Sequence, residues 1–425
     1  MHLYNTLTKQ KEKLDKKEIK MYVCGVTVYD RPHLGHALST ITFDVLHRFL
    51  EYIGYSVIRV QNFTDVDDKI IAKSKELRIS PKEVAEKYIK AFFEDMDNLG
   101  VRRADIHPRA TEDMNEIIEL IKDLIDKKAA YELNGSVYFD VNFSNDYGKL
   151  SKRNLEDLIE GNRIENEPDK KNHGDFALWK HAEEDETYWD SPWGKGRPGW
   201  HIECSAMVKK HLGNSIDIHG GGLDLVFPHH ENEIAQSESS TGHKPFAQIW
   251  VHNGLLKRSG DEKMSKSLGN SLDVRDALNN YSGNSIRLWI LQSHYRHPSS
   301  LDENSLDIAQ KSIQRIQRTL ILRGEDGFDN KDYKNKFLIA MKDDLGTPKA
   351  IATIFDLIHD INKSNDLDKK INEGVILLEE LLGILGFNFE DKNQNDSEIT
   401  NLIKLRNQLR LEKEYDKADQ IREDL

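Results

Sequence analysis

Apolar and polar positions alternate along the chain in ways that separate strands from helices. Glu18 to Gly25 (EIKMYVCG) reads as a short buried strand, and Leu34 to Ile53 carries Ile41, Val45, Leu46, Phe49 and Leu50 at helical spacing. A second strand follows over Tyr55 to Phe63. Strand, helix and strand in that order predict a right-handed βαβ unit in a parallel sheet, with ligands bound beyond the carboxyl ends of the strands. Cys24 lies at such an end.

From about Ser80 to Lys128 the pattern turns helical, and YELNGSVYFD then places Asn134-Gly135 between two alternating runs, a strong hairpin signal. Together they predict an insertion into the sheet, followed by a polar run from Glu160 to Gly174. The sheet resumes with PGWHIECSAMVKKHL as a helix, and IDIHGGGLDLVFPHHENEIAQSE reads as strand, Gly-rich loop and helix. Beyond Ser300 helices dominate: Leu306–Leu322, Lys336–Leu345, Pro348–Ser364 and Lys370–Phe387. A polar linker from Glu390 to Glu398 leads to a last helix, Thr400 to Leu425, and no repeat of solenoid period is found.

Composition narrows the function classes. In 425 residues, 38% are apolar and 31% charged, with no run long enough to span a bilayer and no apolar core of signal-peptide length at the start. A soluble cytoplasmic protein with no membrane partner is expected. The net charge of -13 excludes a uniformly basic nucleic-acid coat but not a local basic groove. With only Cys24 and Cys204, a disulfide framework is excluded.

Two motifs suit a polyphosphate. His33-Leu34-Gly35-His36 opens a helix directly after a strand, where free N–H groups and the helix dipole favour anions and Gly35 lets a nucleotide approach. The two histidines could equally be helix caps. In GDEKMSKSLGN, Lys263 and Lys266 could neutralise charge on an α-phosphate and on a pyrophosphate leaving group, or could belong to a solvated basic loop.

A third constellation concerns the cysteines. Cys24, Cys204 and, one helical turn apart, His229 and Glu233 offer two thiolates, an imidazole and a carboxylate, all competent zinc ligands. His230 with Glu233 passes the same spacing test, and two buried cysteines beside a capping histidine would explain the residues without metal. Ile234 stands where a metalloprotease motif begun at His230 would need its second histidine.

YVCGVTVYDRPHLGHA, QNFTDVDDKI, GRPGWHIECSAM, DIHGGGLDLVFPHHENEIAQSE and EKMSKSLGN together resemble the class I aminoacyl-tRNA synthetases, and within them the cysteinyl-tRNA synthetases, over nearly the whole chain. The resemblance implies an α/β fold: a Rossmann-like parallel sheet carrying HIGH-type and KMSKS-type motifs, a connective insertion and a C-terminal all-α domain. It divides the chain into the first half of the catalytic domain (1–110), the insertion (111–195), the second half (196–255), the KMSKS loop and stem-contact region (256–305) and a helical tRNA-binding, anticodon-side domain (306–425).

It further implies one zinc ion per subunit on Cys24, Cys204, His229 and Glu233, selecting His229 over His230. His33, His36, Lys263 and Lys266 would act on the phosphates of ATP with Mg2+. Gly35, Gly222, Asp224 and Lys266 would hold the nucleotide, a carboxylate suiting ribose hydroxyls. Gly25, Thr27, Thr64 and Trp200 would lie near L-cysteine, although Trp200 could be ordinary core. His219 fits either a pocket or a structural role.

The implied reaction is attack of the cysteine carboxylate on the α-phosphate of ATP, then transfer of the acyl group to the 3′ end of tRNA-Cys. Zinc would tell cysteine from serine, which differ by one atom, because a borderline-soft cation favours a thiolate over a hydroxyl. The partners expected are tRNA-Cys, L-cysteine and ATP, in a monomer. The alternative is a cysteine ligase acting on an amino-sugar. From Leu402 to Leu425 six basic and six acidic residues balance, with the basic excess first, as in a phosphate-facing stripe or a solvated face.

Overall fold

The computed structural model describes residues 1–153, 169–183, 186–258, 273–301, 303–367 and 369–389, with a few single positions beyond 404. Lys263 and Lys266, the linker 390–398 and most of the last predicted helix lie outside the described residues. Contacts divide the chain into Met1–Gly386 and Phe387–Leu425. All elements below belong to the first unit.

A small hairpin, β1 (His2–Asn5) and β2 (Gln10–Lys13), precedes the predicted βαβ unit: β3 (Glu18–Thr27), α1 (Leu34–Tyr52) and β4 (Ser56–Thr64). Next come α2 (Asp68–Leu77), α3 (Pro81–Asn98) and α4 (Met114–Asp126). The strands β5 (Ala130–Leu133), β6 (Ser136–Phe139), β7 (Phe176–His181) and β8 (Gly196–Pro198) make an antiparallel sheet of their own, in that order. The parallel sheet is completed by α5 (Trp200–His211), β9 (Ile216–Gly222), α6 (Glu231–Thr241) and β10 (Ala247–Asn253). There follow β11 (Leu256–Arg258), α7 (Val274–Asn280), α8 (Gly283–Leu291) and β12 (Ser299–Leu301), and last the helices α9 (Glu303–Leu320), α10 (Lys331–Lys342), α11 (Thr347–Leu367) and α12 (Asn372–Ile384).

The parallel sheet runs β10-β9-β3-β4. From β3 the chain moves to β4 on one side and later to β9 on the other, so the order reverses at β3/β9, the position where open α/β sheets bind ligands. Tyr22, Val60, Ile218 and Trp250, one from each strand, are buried. Asn134 and Gly135, with φ of 52° and 78°, make the predicted tight turn between β5 and β6.

Two predictions are refined. The helical pattern from Ser80 to Lys128 is broken between Asn98 and Met114, because Ile106 and Arg109 bridge in parallel to Val60 and Phe63 of β4. The pairing needs of a sheet edge override local periodicity there. The glycines of HGGG lie within β9 and not in a loop: a Cβ on Gly220 would come 2.3 Å from the Phe43 ring of α1, so glycine lets strand and helix pack this closely.

The C-terminal helices are joined to the sheet region by buried charges. Arg287 of α8 is fully buried and donates to the carbonyls of Leu99 at 3.1 Å and Leu385 at 2.9 Å while pairing with Asp44 of α1 at 2.5 Å. Asp344, after α10, accepts from the Tyr4 N–H at 2.8 Å and the Tyr295 hydroxyl at 2.7 Å.

Candidate metal centre and nucleotide-facing helix

The end of β3 delivers Cys24, the second turn of α5 Cys204, the turn before α6 His229, and α6 itself Glu233. All four are buried. Their ligand atoms lie within 4.8 Å of one another. Cys24 Sγ is 3.9 Å from Cys204 Sγ and 3.3 Å from Glu233 Oε1; His229 Nε2 is 3.5 Å from Cys204 Sγ and 3.0 Å from Glu233 Oε1. A tetrahedral zinc site with usual bond lengths separates sulfur from sulfur by about 3.8 Å, sulfur from nitrogen or oxygen by about 3.5 Å, and nitrogen from oxygen by about 3.3 Å. The donor set and its spacing therefore fit such an ion.

A second group, Cys24, His219, His230 and Glu233, also converges. It shares two members with the first but holds only one sulfur. His219 Nε2 instead meets the other oxygen of Glu233, Oε2, at 2.8 Å, while Oε1 faces the cluster. His230 Nδ1 faces His252 Nε2 at 2.7 Å, and His252 Nδ1 faces Thr6 Oγ1 at 2.8 Å. His201 Nδ1 faces His229 Nδ1 at 2.9 Å, leaving Nε2 of His229 directed at the cluster. Such partners fix the orientation of metal-binding side chains.

The electrostatics match. Burial would raise the Glu233 carboxyl, but His219 and His229 pull it down to about 2. Burial would lower the His229 imidazole, yet Glu233 and the Cys204 thiol raise it to about 10. A hydrogen bond from Cys24 outweighs burial at Cys204 and lowers it to about 6, whereas burial, with Cys204 beside it, pushes the Cys24 thiol up. A ligand nitrogen must be neutral and a ligand sulfur ionised, so metal uptake near neutral pH is expected to expel protons from His229 and Cys24. Affinity should then rise with pH and weaken on acidification. Calorimetric zinc titrations in two buffers of different ionisation enthalpy check this; equal heats in both would contradict it.

The HLGH motif starts α1. His33 is the N-cap: its Nδ1 accepts from the His36 N–H at 3.3 Å, and His36 Nδ1 accepts from the His33 N–H at 3.2 Å. The rings stack with centroids 3.7 Å apart. The capping role and a phosphate role are thus compatible, since the reciprocal cap engages Nδ1 of each ring. A Cβ at Gly35 would lie 2.9 Å from the His33 ring, so glycine is what allows that ring to fold over the helix start.

Likeness to known proteins gives the family. Residues 10–311 match the family described as tRNA synthetases class I (C) catalytic domain, and 336–390 the DALR domain. The cysteine-tRNA ligase of Thermococcus gammatolerans is 48% identical over 455 aligned positions, covering 100% of this chain and 95% of that protein. That of Dehalococcoides mccartyi is 47% identical, covering 100% and 96%. The chain belongs to the cysteine-tRNA ligase family. The amino-sugar alternative finds no support in these relatives. In fold, the chain is similar to the methionyl-tRNA synthetase of Mycobacterium tuberculosis in complex with methionyl-adenylate, with a TM-score of 0.63 at 14% identity over 87% of this chain and 90% of that one.

The other expected residues lie on the parallel sheet and its connections. Trp200, at the first position of α5, stacks on His229 at 4.2 Å between centroids. Thr27 and Thr64 pair across β3 and β4. Thr64 Oγ1 donates to Glu203 Oε2 at 3.0 Å. Gly222 ends β9, and the exposed Asp224 sits in the turn that follows. Gly25 lies at a bulge in β3, where its N–H donates to Asn62 Oδ1 at 2.8 Å. A Cβ there would fall 1.6 Å from the Asn62 carbonyl oxygen. Gly25→Ala is therefore expected to push β3 from β4 beside Cys24 and to cost about 1–3 kcal/mol, read as a lowered thermal midpoint together with weaker cysteine binding.

Sequence reasoning missed Glu203, His201, His252 and Asn62. Glu203 stands beside Cys204 in the buried stretch Ile202–Val208, and its carboxyl is pushed well up by burial and by Cys204. An acid in the first turn of α5, next to Cys204, was the signal available.

Proposed function

We propose that Cys24, Cys204, His229 and Glu233 hold a zinc ion that reads the thiol of the substrate during the charging of tRNA with cysteine, the activity of the family to which this chain belongs. The observation that carries this reading is the meeting of four buried ligand atoms, two of them sulfur, at the β3/β9 reversal. Bound there, zinc would favour a thiolate over a hydroxyl and lower the thiol pKa, so serine would be refused without a separate editing step.

The chain's own residues do the rest. Trp200 and the backbone at Gly25 and Thr27 shape the amino-acid pocket, with Thr64 placed at its wall by Glu203. Gly222 and Asp224, at the end of β9, suit the ribose and base of ATP. His33 and His36, with the N-terminal amides of α1, face the phosphates. Lys263 and Lys266 neutralise the charge that grows on the α-phosphate and on the departing pyrophosphate, with Mg2+ accompanying the nucleotide. This is in-line displacement governed by positioning, and no side-chain nucleophile is required. A ribose hydroxyl at the tRNA 3′ end then attacks the carbonyl of the cysteinyl-adenylate and takes the acyl group, releasing AMP.

For the domains we assign 1–110 and 196–255 to the two catalytic halves, 111–195 to the insertion, 256–305 to the KMSKS and stem-contact region, and 306–425 to the anticodon side. The DALR match within the last region supports that assignment. Among the described residues no helix is long and apolar enough to cross a membrane.

The test is cysteine-dependent exchange of pyrophosphate into ATP, run with cysteine and with serine, before and after chelation, followed by acylation of tRNA-Cys. Exchange with cysteine alone, lost with the metal, is the expected result. Exchange that survives complete metal removal with its selectivity intact would overturn the zinc reading.

A further inference from the structure

Asp95 of α3 is completely buried, and it holds two guanidinium groups from distant parts of the chain. Arg31 Nη1 lies 3.2 Å from Asp95 Oδ2, and Arg275 Nε lies 2.8 Å from Asp95 Oδ1. Arg275 Nη2 also reaches Glu94 Oε2 at 3.1 Å. The two arginines belong to opposite motifs. Arg31 precedes the HLGH sequence, and Arg275 sits in the first turn of α7, which in sequence directly follows the segment bearing Lys263 and Lys266. The residues adjoining them are also paired: the Val274 N–H donates to the Pro32 carbonyl at 3.0 Å, and His33 bridges Asp273.

Nothing in the packing of α3 requires this acid. Val84, Tyr88, Phe92 and Met96 make the helix's buried apolar face, and Asp95 interrupts it. A buried charge robbed of its partners is costly, so the carboxylate makes sense only with both arginines in place. Each arginine side chain keeps 37% of its surface in solvent, whereas Asp95 keeps none.

We propose that Asp95, with Arg31 and Arg275, is a positioning clamp: it fixes α7 against the start of α1 and so sets how the two phosphate-handling motifs stand relative to each other during adenylate formation. The proposal rests on the function assigned above. Because one carboxylate serves both guanidiniums, loss of either weakens the hold on the other. Arg275 spans two carboxylates with two different nitrogens, which a lysine cannot reproduce.

The experiment uses the full chain, with Arg275→Ala, Arg31→Gln, Arg275→Lys and the double variant Arg31→Gln/Arg275→Ala. A misplacement of about 1 Å far from the chemistry can cost about a hundredfold, so kcat of cysteine-dependent exchange is expected to fall about 10- to 100-fold in Arg275→Ala. The KM for cysteine and the zinc content should stay at their wild-type values, which a general loss of structure would not allow. Arg275→Lys should recover only part of the rate, and the double variant should lose less than the product of the single losses. Arg31→Gln gives the same answer from the other end should Arg275→Ala fold poorly. An active wild type with unchanged kcat in both single variants overturns the clamp alone, as do losses that simply multiply. A wild type with no cysteine-dependent exchange overturns the proposed function, and the clamp with it.

Discussion

Cys204→Ser is expected to lower cysteine-dependent exchange by at least about a hundredfold, since even partners that merely orient a ligand are worth about 10- to 100-fold in metal affinity or activity. Serine keeps the volume of the side chain but replaces a thiolate by a hydroxyl that stays protonated and binds a borderline-soft cation poorly. The exchange leaves in place the apolar cluster to which Cys204 belongs with Met207, Val208, Ile234 and Trp250. The thermal midpoint should therefore move little beyond what the lost ion itself contributed, while zinc per chain drops well below one. The residual activity should also lose its preference for cysteine over serine. Zinc content and selectivity equal to wild type would remove Cys204 from the metal site.

Much of the fold is legible in the sequence because periodicity there has one dominant cause, burial on one face. The unit Glu18–Thr27, Leu34–Tyr52, Ser56–Thr64 falls within two residues of its expected limits, and Asn134-Gly135 makes the expected turn. The failures have a common origin in contacts between distant segments. Residues 99–113 fall in a helical pattern, but Ile106 and Arg109 pair with β4, and the glycines of HGGG are strand, with the Phe43 ring packed against Gly220.

The same division runs through the candidate metal centre. Cys24, Cys204, His229 and Glu233 are each recognisable as ligand types, but Cys24 and Cys204 are 180 positions apart, and spacing has nothing to say about their 3.9 Å separation. Spacing also leaves His229 and His230 undivided, and both rings reach the cluster: His229 Nε2 is 3.0 Å from Glu233 Oε1 and 3.5 Å from Cys204 Sγ, while His230 Nε2 is 3.3 Å from Cys24 Sγ and 4.0 Å from Glu233 Oε1. Asp95 could have been noticed, since an acid at position i+3 from Phe92 lies on the apolar stripe of its helix.

Lys266→Ala is expected to depress adenylate formation by about 10²- to 10³-fold, the usual cost of deleting one group that stabilises charge only as it develops. In the proposed function the amino acid is held elsewhere, by residues on β3, β4, α5 and α6, so the KM for cysteine should stay within about twofold, as expected for an interaction made only in the transition state. Zinc content should be unchanged for the same reason. Removing Lys263 shows whether the two lysines divide the charge between them. They stand three positions apart in one segment, and the proposed function gives them neighbouring phosphate groups, so losing both should cost more than losing either. Transfer of cysteine from preformed cysteinyl-adenylate to tRNA has no pyrophosphate to stabilise, and in Lys266→Ala that step should run much closer to the wild-type rate than exchange does. Equal losses in both steps would place Lys266 in general support of the site and not in phosphate chemistry.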